Sequence, residues 1–201
     1  MVNAAGEISD TALKMLSALD IRALMPALRV ANEGAVDDVL NTNGSAYYQW
    51  SMCLVDYLKP KQIVELGGAM GVWDICVLHT LPKDSELWSI TLAENGLEFS
   101  YIVDNYPNFH PIVGNDLDLY IWPKELDLHK TDLWFIDTIH TYDQVKAELD
   151  LYKHYFKKGA VLLFDDIRMN DGMWKIWNEL PYEKHENTNP CHYTGFGIAI
   201  V

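Results

Sequence analysis

The chain has 201 residues, 49% hydrophobic and 22% charged, a balance that supports one domain with a sizeable core and excludes a disordered polymer. Its net charge of -14, from 29 acids against 15 Lys and Arg, argues against nucleic acid or an anionic membrane as partner, because both are held through clustered cations. The three cysteines, Cys53, Cys76 and Cys191, are odd in number and far apart, so neither a disulfide framework nor a paired-cysteine metal knuckle is expected, and a reducing, cytoplasmic setting is.

The first residues carry no basic region followed by an apolar run, and no apolar stretch approaches ~18 residues, so neither secretion nor membrane insertion is expected. Residues 1–60 are predicted to form an N-terminal helical cap ahead of a main domain at 61–201, the two making one compact unit. Ser9 or Asp10 can cap a helix carrying Leu13, Leu16 and Leu19 at helical spacing, with Leu24 and Leu28 beyond and Pro26 as a kink or stop. A loop rich in Asn, Gly and Asp, Asn32 to Ser45, leads to a second helix from Ala46 to Leu58, ended by Pro60. These helices suit either a lid over the main fold or a surface for a homo-oligomer.

From Gln62 onward short apolar runs alternate with helical patterns, which predicts an α/β fold with a doubly wound, mostly parallel sheet. Predicted strands run from Gln62 to Leu66, Glu86 to Leu92, His110 to Val113, Asp132 to Asp137 and Ala160 to Phe164. Predicted helices run from Val72 to Thr80, Leu97 to Asn105 and Tyr142 to Phe156, followed by a short helix around Met173 to Leu180 and a last strand, Gly197 to Val201. In such sheets ligands sit at the carboxyl ends of the strands, near a reversal of strand order.

The first strand ends in I-V-E-L-G-G-A-M-G-V-W-D, a carboxylate followed by a glycine turn that opens a helix. Gly67, Gly68 and Gly71 read as a backbone brought close to a ligand. A nicotinamide cofactor fits poorly, because Ala69 stands where its phosphate turn needs glycine and Glu65 would repel a pyrophosphate. A ligand carrying an ammonium or sulfonium group suits Glu65 better. Strand four gives W-F-I-D-T-I-H-T-Y and strand five L-L-F-D-D-I, so Asp137, Asp165 and Asp166 gather at one sheet edge. Their mutual repulsion in a partly desolvated cleft is relieved by a divalent cation, and all-oxygen ligation favours Mg²⁺ before Ca²⁺ or Mn²⁺. His140, three residues beyond Asp137, is placed to act as a general base. Trp73 reads as a core residue; Trp174 and Trp177, with the tail motif H-Y-T-G-F-G, either line an acceptor site or pack the last helix onto the sheet.

The E-x-G-x-x-x-G turn resembles the first motif of class I S-adenosylmethionine (SAM) methyltransferases. Together, V-E-L-G-G-A-M-G, F-I-D-T-I-H-T-Y-D-Q-V-K-A-E-L and K-K-G-A-V-L-L-F-D-D-I resemble the metal-dependent members that act on sugar hydroxyls and the cephalosporin-hydroxylase-like proteins that share their fold. The likeness spans residues 62 to about 168 and implies a Rossmann-like domain binding SAM at Glu65, Gly67, Gly68 and Gly71. It implies Mg²⁺ on Asp137, Asp165 and Asp166, and His140 as base toward a small-molecule or sugar hydroxyl. It also implies an acid for the ribose hydroxyls after strand two, where this chain offers Thr91 and then Glu94, and an acid or amide near the adenine after strand three, where it has Asp116. Glu94 and Asp116 can equally serve as helix-start carboxylates. Two further readings stay open: a non-catalytic SAM-binding or scaffold protein of the same fold, and a nicotinamide oxidoreductase.

Overall fold

The computed structural model describes residues 46–201 apart from 70, 93–96 and 188–193. The helix α1 (Ala46–Leu58) precedes β1 (Gln62–Leu66), α2 (Val72–Thr80), β2 (Glu86–Thr91), α3 (Leu97–Asn105) and β3 (Phe109–Val113). Two 3-10 turns, Leu119–Ile121 and Leu128–Lys130, lead to β4 (Leu133–Ile136), α4 (Tyr142–Tyr152), β5 (Val161–Phe164), α5 (Asp171–Glu179), β6 (Glu183–Asn187) and β7 (Phe196–Ile200). The seven strands lie in the order β3-β2-β1-β4-β5-β7-β6. The first five pair in parallel, and β7 runs antiparallel to both β5 and β6. Strand order therefore reverses between β1 and β4, which puts the crevice for a ligand beyond Leu66 and Ile136.

The uninterrupted apolar strands follow from burial on both faces. In β4, Leu133 and Phe135 point into one core with Ile63, Leu163 and the α1–α2–α3 layer, while Trp134 and Ile136 point into the other with Val64, Leu162 and the α4–α5 layer. Asp132 and Asp137, predicted as strand ends, flank β4 instead. At the lower end the Asp132 carboxylate accepts from the Lys61 backbone N–H at 2.7 Å while its own backbone N–H donates to the Gln62 carbonyl at 2.9 Å, which anchors the entry to β4 against β1.

The predicted helix from Tyr142 stops at Tyr152 rather than Phe156, and the last helix starts at Asp171, where the Asn170 side chain accepts from the Met173 backbone N–H at 3.0 Å. β6 has no counterpart in the prediction. Its sequence E-K-H-E-N has no apolar alternation, and as the outer partner of β7 it carries the charges that suit a sheet edge. The second predicted helix, Ala46–Leu58, is α1; Trp50, Met52 and Val55 are buried against α2 in the main core, so this helix belongs to the layer that covers the sheet and not to a separate lid. The rest of the predicted N-terminal cap, 1–45, lies outside the described residues. Among the described residues no helix is long and apolar enough to cross a membrane.

Candidate functional site

A cleft of about 380 Å³ opens at the reversal of strand order. Its floor is the glycine turn after β1, with Gly67 and Ala69; its walls are the ends of β2 (Ile90, Thr91, Leu92), the loop after β3 (Gly114 to Leu117) and the loop after β4 (Asp137, Thr138, Ile139), with Gln144 reaching in from α4. The turn is tied down by Gly67 and Gly68, whose backbone N–H groups donate to the Ile90 carbonyl at 2.9 and 3.0 Å.

The glycines answer first to the protein itself. Gly67 has φ of 102°, and a Cβ there would lie 2.5 Å from the Asp137 carbonyl carbon and closer still to its oxygen. A Cβ on Gly68 would strike the Ser89 hydroxyl and lie 3.2 Å from Glu65 Oε2, and one on Gly71, with φ of 71°, would lie 2.5 Å from Ile102 Cδ1. The turn is thus folded tightly onto β2, β4 and α3, with Gly67 and Ala69 facing the cleft.

Glu65 is not on that surface. It is 1% exposed, does not line the cleft, and accepts a hydrogen bond from the Ser89 hydroxyl beneath the turn. Burial and then the neighbouring Asp74 push its carboxyl well above the usual range. Burial likewise pushes Asp74, in the first turn of α2, up to about 6, although bonds with Glu65 and Ser89 pull the other way. Two stacked acids without a cation must share a proton, so the direct contact with a ligand ammonium expected of Glu65 gives way to a buried acid pair that shapes the turn from below. Asp74 lies inside the quoted motif, yet nothing in spacing alone marks it as the partner of Glu65. Because burial makes the pair hold a proton that the unfolded chain would release, stability should fall as pH rises from about 4 through the folded pKa. Asp74→Asn should therefore match the parent near pH 4 and exceed it at pH 7 by of the order of 2 kcal/mol in urea unfolding; equal stability at both pH values would exclude the shared proton.

Asp116 lines the cleft, 7% exposed, and accepts from Gln144 Nε2 at 3.2 Å. The helix-cap alternative for Asp116 is taken by Asp118, whose carboxylate receives the Tyr120 backbone N–H at 3.0 Å. Thr91 is on the cleft wall; Glu94 lies outside the described residues.

At the far end of the cleft the two acid-bearing loops converge. One ligand-type atom from each of Asp137, His140 and Asp165 falls within 4.8 Å of the others. His140 Nε2 is 3.3 Å from Asp137 Oδ1 and 3.4 Å from Asp166 Oδ2. Asp166 adopts φ of 55°, a left-handed conformation that aspartate tolerates better than most residues, and its Oδ1 accepts from the Thr194 hydroxyl. The four side chains predicted to act together are thus adjacent, with His140 inside the tightest group and Asp166 beside it. Burial lowers the pKa of His140, but the carboxylates of Asp137, Asp166 and Asp165 outweigh it and hold the imidazole above its ordinary value. The carboxylates of this group are donors that suit a hard divalent ion, whereas the imidazole beside them suits such an ion less well than it suits zinc or iron.

Sequence reading missed a support of this corner. Asn170 donates to the His140 carbonyl at 2.9 Å while capping α5, tying the histidine loop to the last helix. Of the tryptophans, Trp73 stacks on Phe135 at 4.3 Å in the core, Trp177 packs edge-on against Phe164 at 5.7 Å, and Trp174 carries the Arg168 guanidinium at 3.9 Å. Trp177 therefore follows the packing alternative, joining α5 to the sheet.

The methyltransferase-domain family matches residues 64–167, just over half of the chain, from the middle of β1 to the loop after β5. No curated protein sequence matches. Among solved structures, the O-methyltransferase from Streptomyces achromogenes involved in tomaymycin synthesis, in complex with SAM, superposes with a TM-score of 0.66 at 18% identity, over 96% of each chain. The O-methyltransferase from Bacillus cereus in complex with S-adenosylhomocysteine gives 0.64 at 16% identity, over 100% of this chain and 94% of that one. A methyltransferase from Geobacter sulfurreducens gives 0.65 at 13% identity, over 87% and 88%. With the family match falling on the very strands, turn and acid-bearing loops that build the cleft, the chain belongs to the methyltransferase-domain family and has the class I SAM-methyltransferase fold.

Proposed function

We propose that this protein is an O-methyltransferase that moves the methyl group of SAM to a hydroxyl of a small molecule or sugar, with help from a divalent cation, Mg²⁺ before others. The observation that carries this reading is the group of Asp137, His140 and Asp165 at the end of the cleft that starts on the glycine turn. Gly67 and Ala69 give the donor a bed at the floor of the cleft, Gly68 and Gly71 let the turn fold closely enough to form it, Glu65 holds it from beneath, and Asp116 stands on the wall that would meet the adenine. Asp137 and Asp165, with Asp166 alongside, would hold the cation, whose chemistry would be to fix the acceptor oxygen and lower its pKa.

His140 would take the hydroxyl proton, and SAM bound on the turn would supply its methyl group to the acceptor oxygen, with S-adenosylhomocysteine as the leaving group. The sulfonium is already reactive, so alignment and charge compensation are what the protein supplies. A non-catalytic SAM-binding protein would have no use for three clustered acids and a histidine at the edge of its cofactor cleft.

Since an ion that binds only the folded state stabilises it by mass action, saturating Mg²⁺ should raise the thermal midpoint of the parent by a few degrees, and Asp165→Ala should abolish that response. A midpoint indifferent to both Mg²⁺ and EDTA in the parent would refute the cation site. Calorimetry with S-adenosylhomocysteine and NAD in parallel separates the methyltransferase from an oxidoreductase: only the first should bind.

A further inference from the structure

Behind the cleft wall lies a buried acid that the transfer step leaves unused. Glu148, on α4, has no exposed surface. Its Oε1 accepts from Gln144 Nε2 at 2.8 Å, and the same nitrogen donates to Asp116 Oδ1 at 3.2 Å. Gln144 and Asp116 line the cleft, whereas Glu148 does not. A primary amide nitrogen has two hydrogens, and each is here committed to an acid. Turning the amide over would set its carbonyl oxygen against the Asp116 carboxylate and leave that acceptor without its hydrogen, which disfavours the flipped orientation.

We propose that Glu148 is a positioning residue for the donor, holding Gln144 so that the cleft wall presents the Asp116 carboxylate and the Gln144 carbonyl oxygen together, a surface of acceptors that selects a purine with an exocyclic amino group over one with an oxo group. The inference rests on the reading of this cleft as the SAM site. Burial, followed by the charge of Asp116, pushes Glu148 up to about 8. The groups that face it are Asp116 from the loop after β3, Thr138 from the loop after β4, and Gln144 and Tyr152 from α4 itself. The Tyr152 hydroxyl donates to the Asp116 carbonyl and accepts from Trp122 Nε1 at 2.9 Å. None of these is a cation; hydrogen bonds from Thr138 and Gln144 favour the ionised acid but are outweighed by burial and the charge of Asp116, so ionised Glu148 would repel Asp116 and the wall would loosen. Glutamine at position 148 can accept from Gln144 and donate toward Asp116 as the neutral acid does, without titrating.

The test is calorimetry on the full chain with S-adenosylhomocysteine and its deaminated analogue S-inosylhomocysteine at pH 7, and with S-adenosylhomocysteine alone at pH 9. At pH 7 the parent and Glu148→Gln should both prefer the amino purine by about ten- to a hundredfold, the scale of one or two hydrogen bonds to charged or buried groups. Glu148→Leu, checked for folding by circular dichroism, should lose most of that preference. Between pH 7 and 9 the parent should lose affinity several-fold more than Glu148→Gln does, ionisation of the ligand being common to both. A folded Glu148→Leu with the parental preference, or identical pH dependence in the parent and Glu148→Gln, would overturn the role of Glu148. Equal binding of the two nucleosides by the parent would overturn it as well, while leaving the donor site standing. Failure of the parent to bind S-adenosylhomocysteine at all would instead remove the proposed function and this inference with it.

Discussion

Gly67→Val should lower the thermal midpoint by roughly 5–15 °C and abolish binding of S-adenosylhomocysteine, the first read by scanning calorimetry and the second by titration. Two costs add. A side chain at φ of 102° is strained by about 1–2 kcal/mol or more, and a β-branched residue suffers most. The new Cβ also enters the space of the Asp137 carbonyl, an overpacking that typically costs 1–3 kcal/mol as backbone shifts to make room. What shifts is informative, because Asp137 N donates to the Leu66 carbonyl at 2.9 Å, so the end of β1 and the start of the acid-bearing loop move together. The Mg²⁺-induced rise in midpoint should therefore disappear in the same variant, although no acid has been removed. Parental affinity for S-adenosylhomocysteine in a folded Gly67→Val would mean that the donor lies elsewhere.

The same residue shows what was legible in the sequence and what was not. A strand followed by a glycine turn and a helix could be read from the letters, as could the five parallel strands, the central β4 and β5 most clearly because burial on both faces writes them as apolar runs. The physical reason for Gly67 could not, since the atom it must avoid is 70 residues away in the chain and comes beside it only when β1 pairs with β4. Glu65 fails for a similar reason. Strand alternation tells which face a residue takes, but whether that face is cleft or floor depends on Ser89 and Asp74, which the fold brings in from β2 and α2. The acids after β4 and β5 were visible because parallel strands deliver their carboxyl ends to one edge whatever the loops do. Asn170 was invisible because it acts on His140, 30 residues earlier in the chain, and carries no motif of its own; Glu148 stands inside the quoted run after β4, but its burial and its link through Gln144 to Asp116 arise only in the fold. β6 was invisible because an edge strand needs charge, and charge without alternation looks like loop.

His140→Ala should reduce turnover by a hundredfold or more at pH 7, the usual scale for removing a general base, while leaving affinity for S-adenosylhomocysteine unchanged, since the side chain does not line the donor cleft. The surroundings of His140 set a condition on that role. Without a cation, the carboxylates of Asp137, Asp166 and Asp165 overcome the effect of burial and keep the imidazole protonated to higher pH than usual, the wrong form for a base. Positive charge among those carboxylates would reverse the balance and let burial bring the pKa down. The parent's rate should accordingly rise with pH as His140 loses its proton, with that rise starting at lower pH in saturating Mg²⁺ than in limiting Mg²⁺. In His140→Ala this limb should vanish, leaving a shallow increase at high pH where acceptor hydroxyls ionise unaided. Because His140 Nε2 shares the 4.8 Å group with Asp137 and Asp165, the variant's Mg²⁺ response is the deciding measurement. A retained rise in thermal midpoint with Mg²⁺ assigns the ion to the carboxylates and the proton to His140. A lost rise makes the histidine a ligand, and the hydroxyl proton must then be taken by another group.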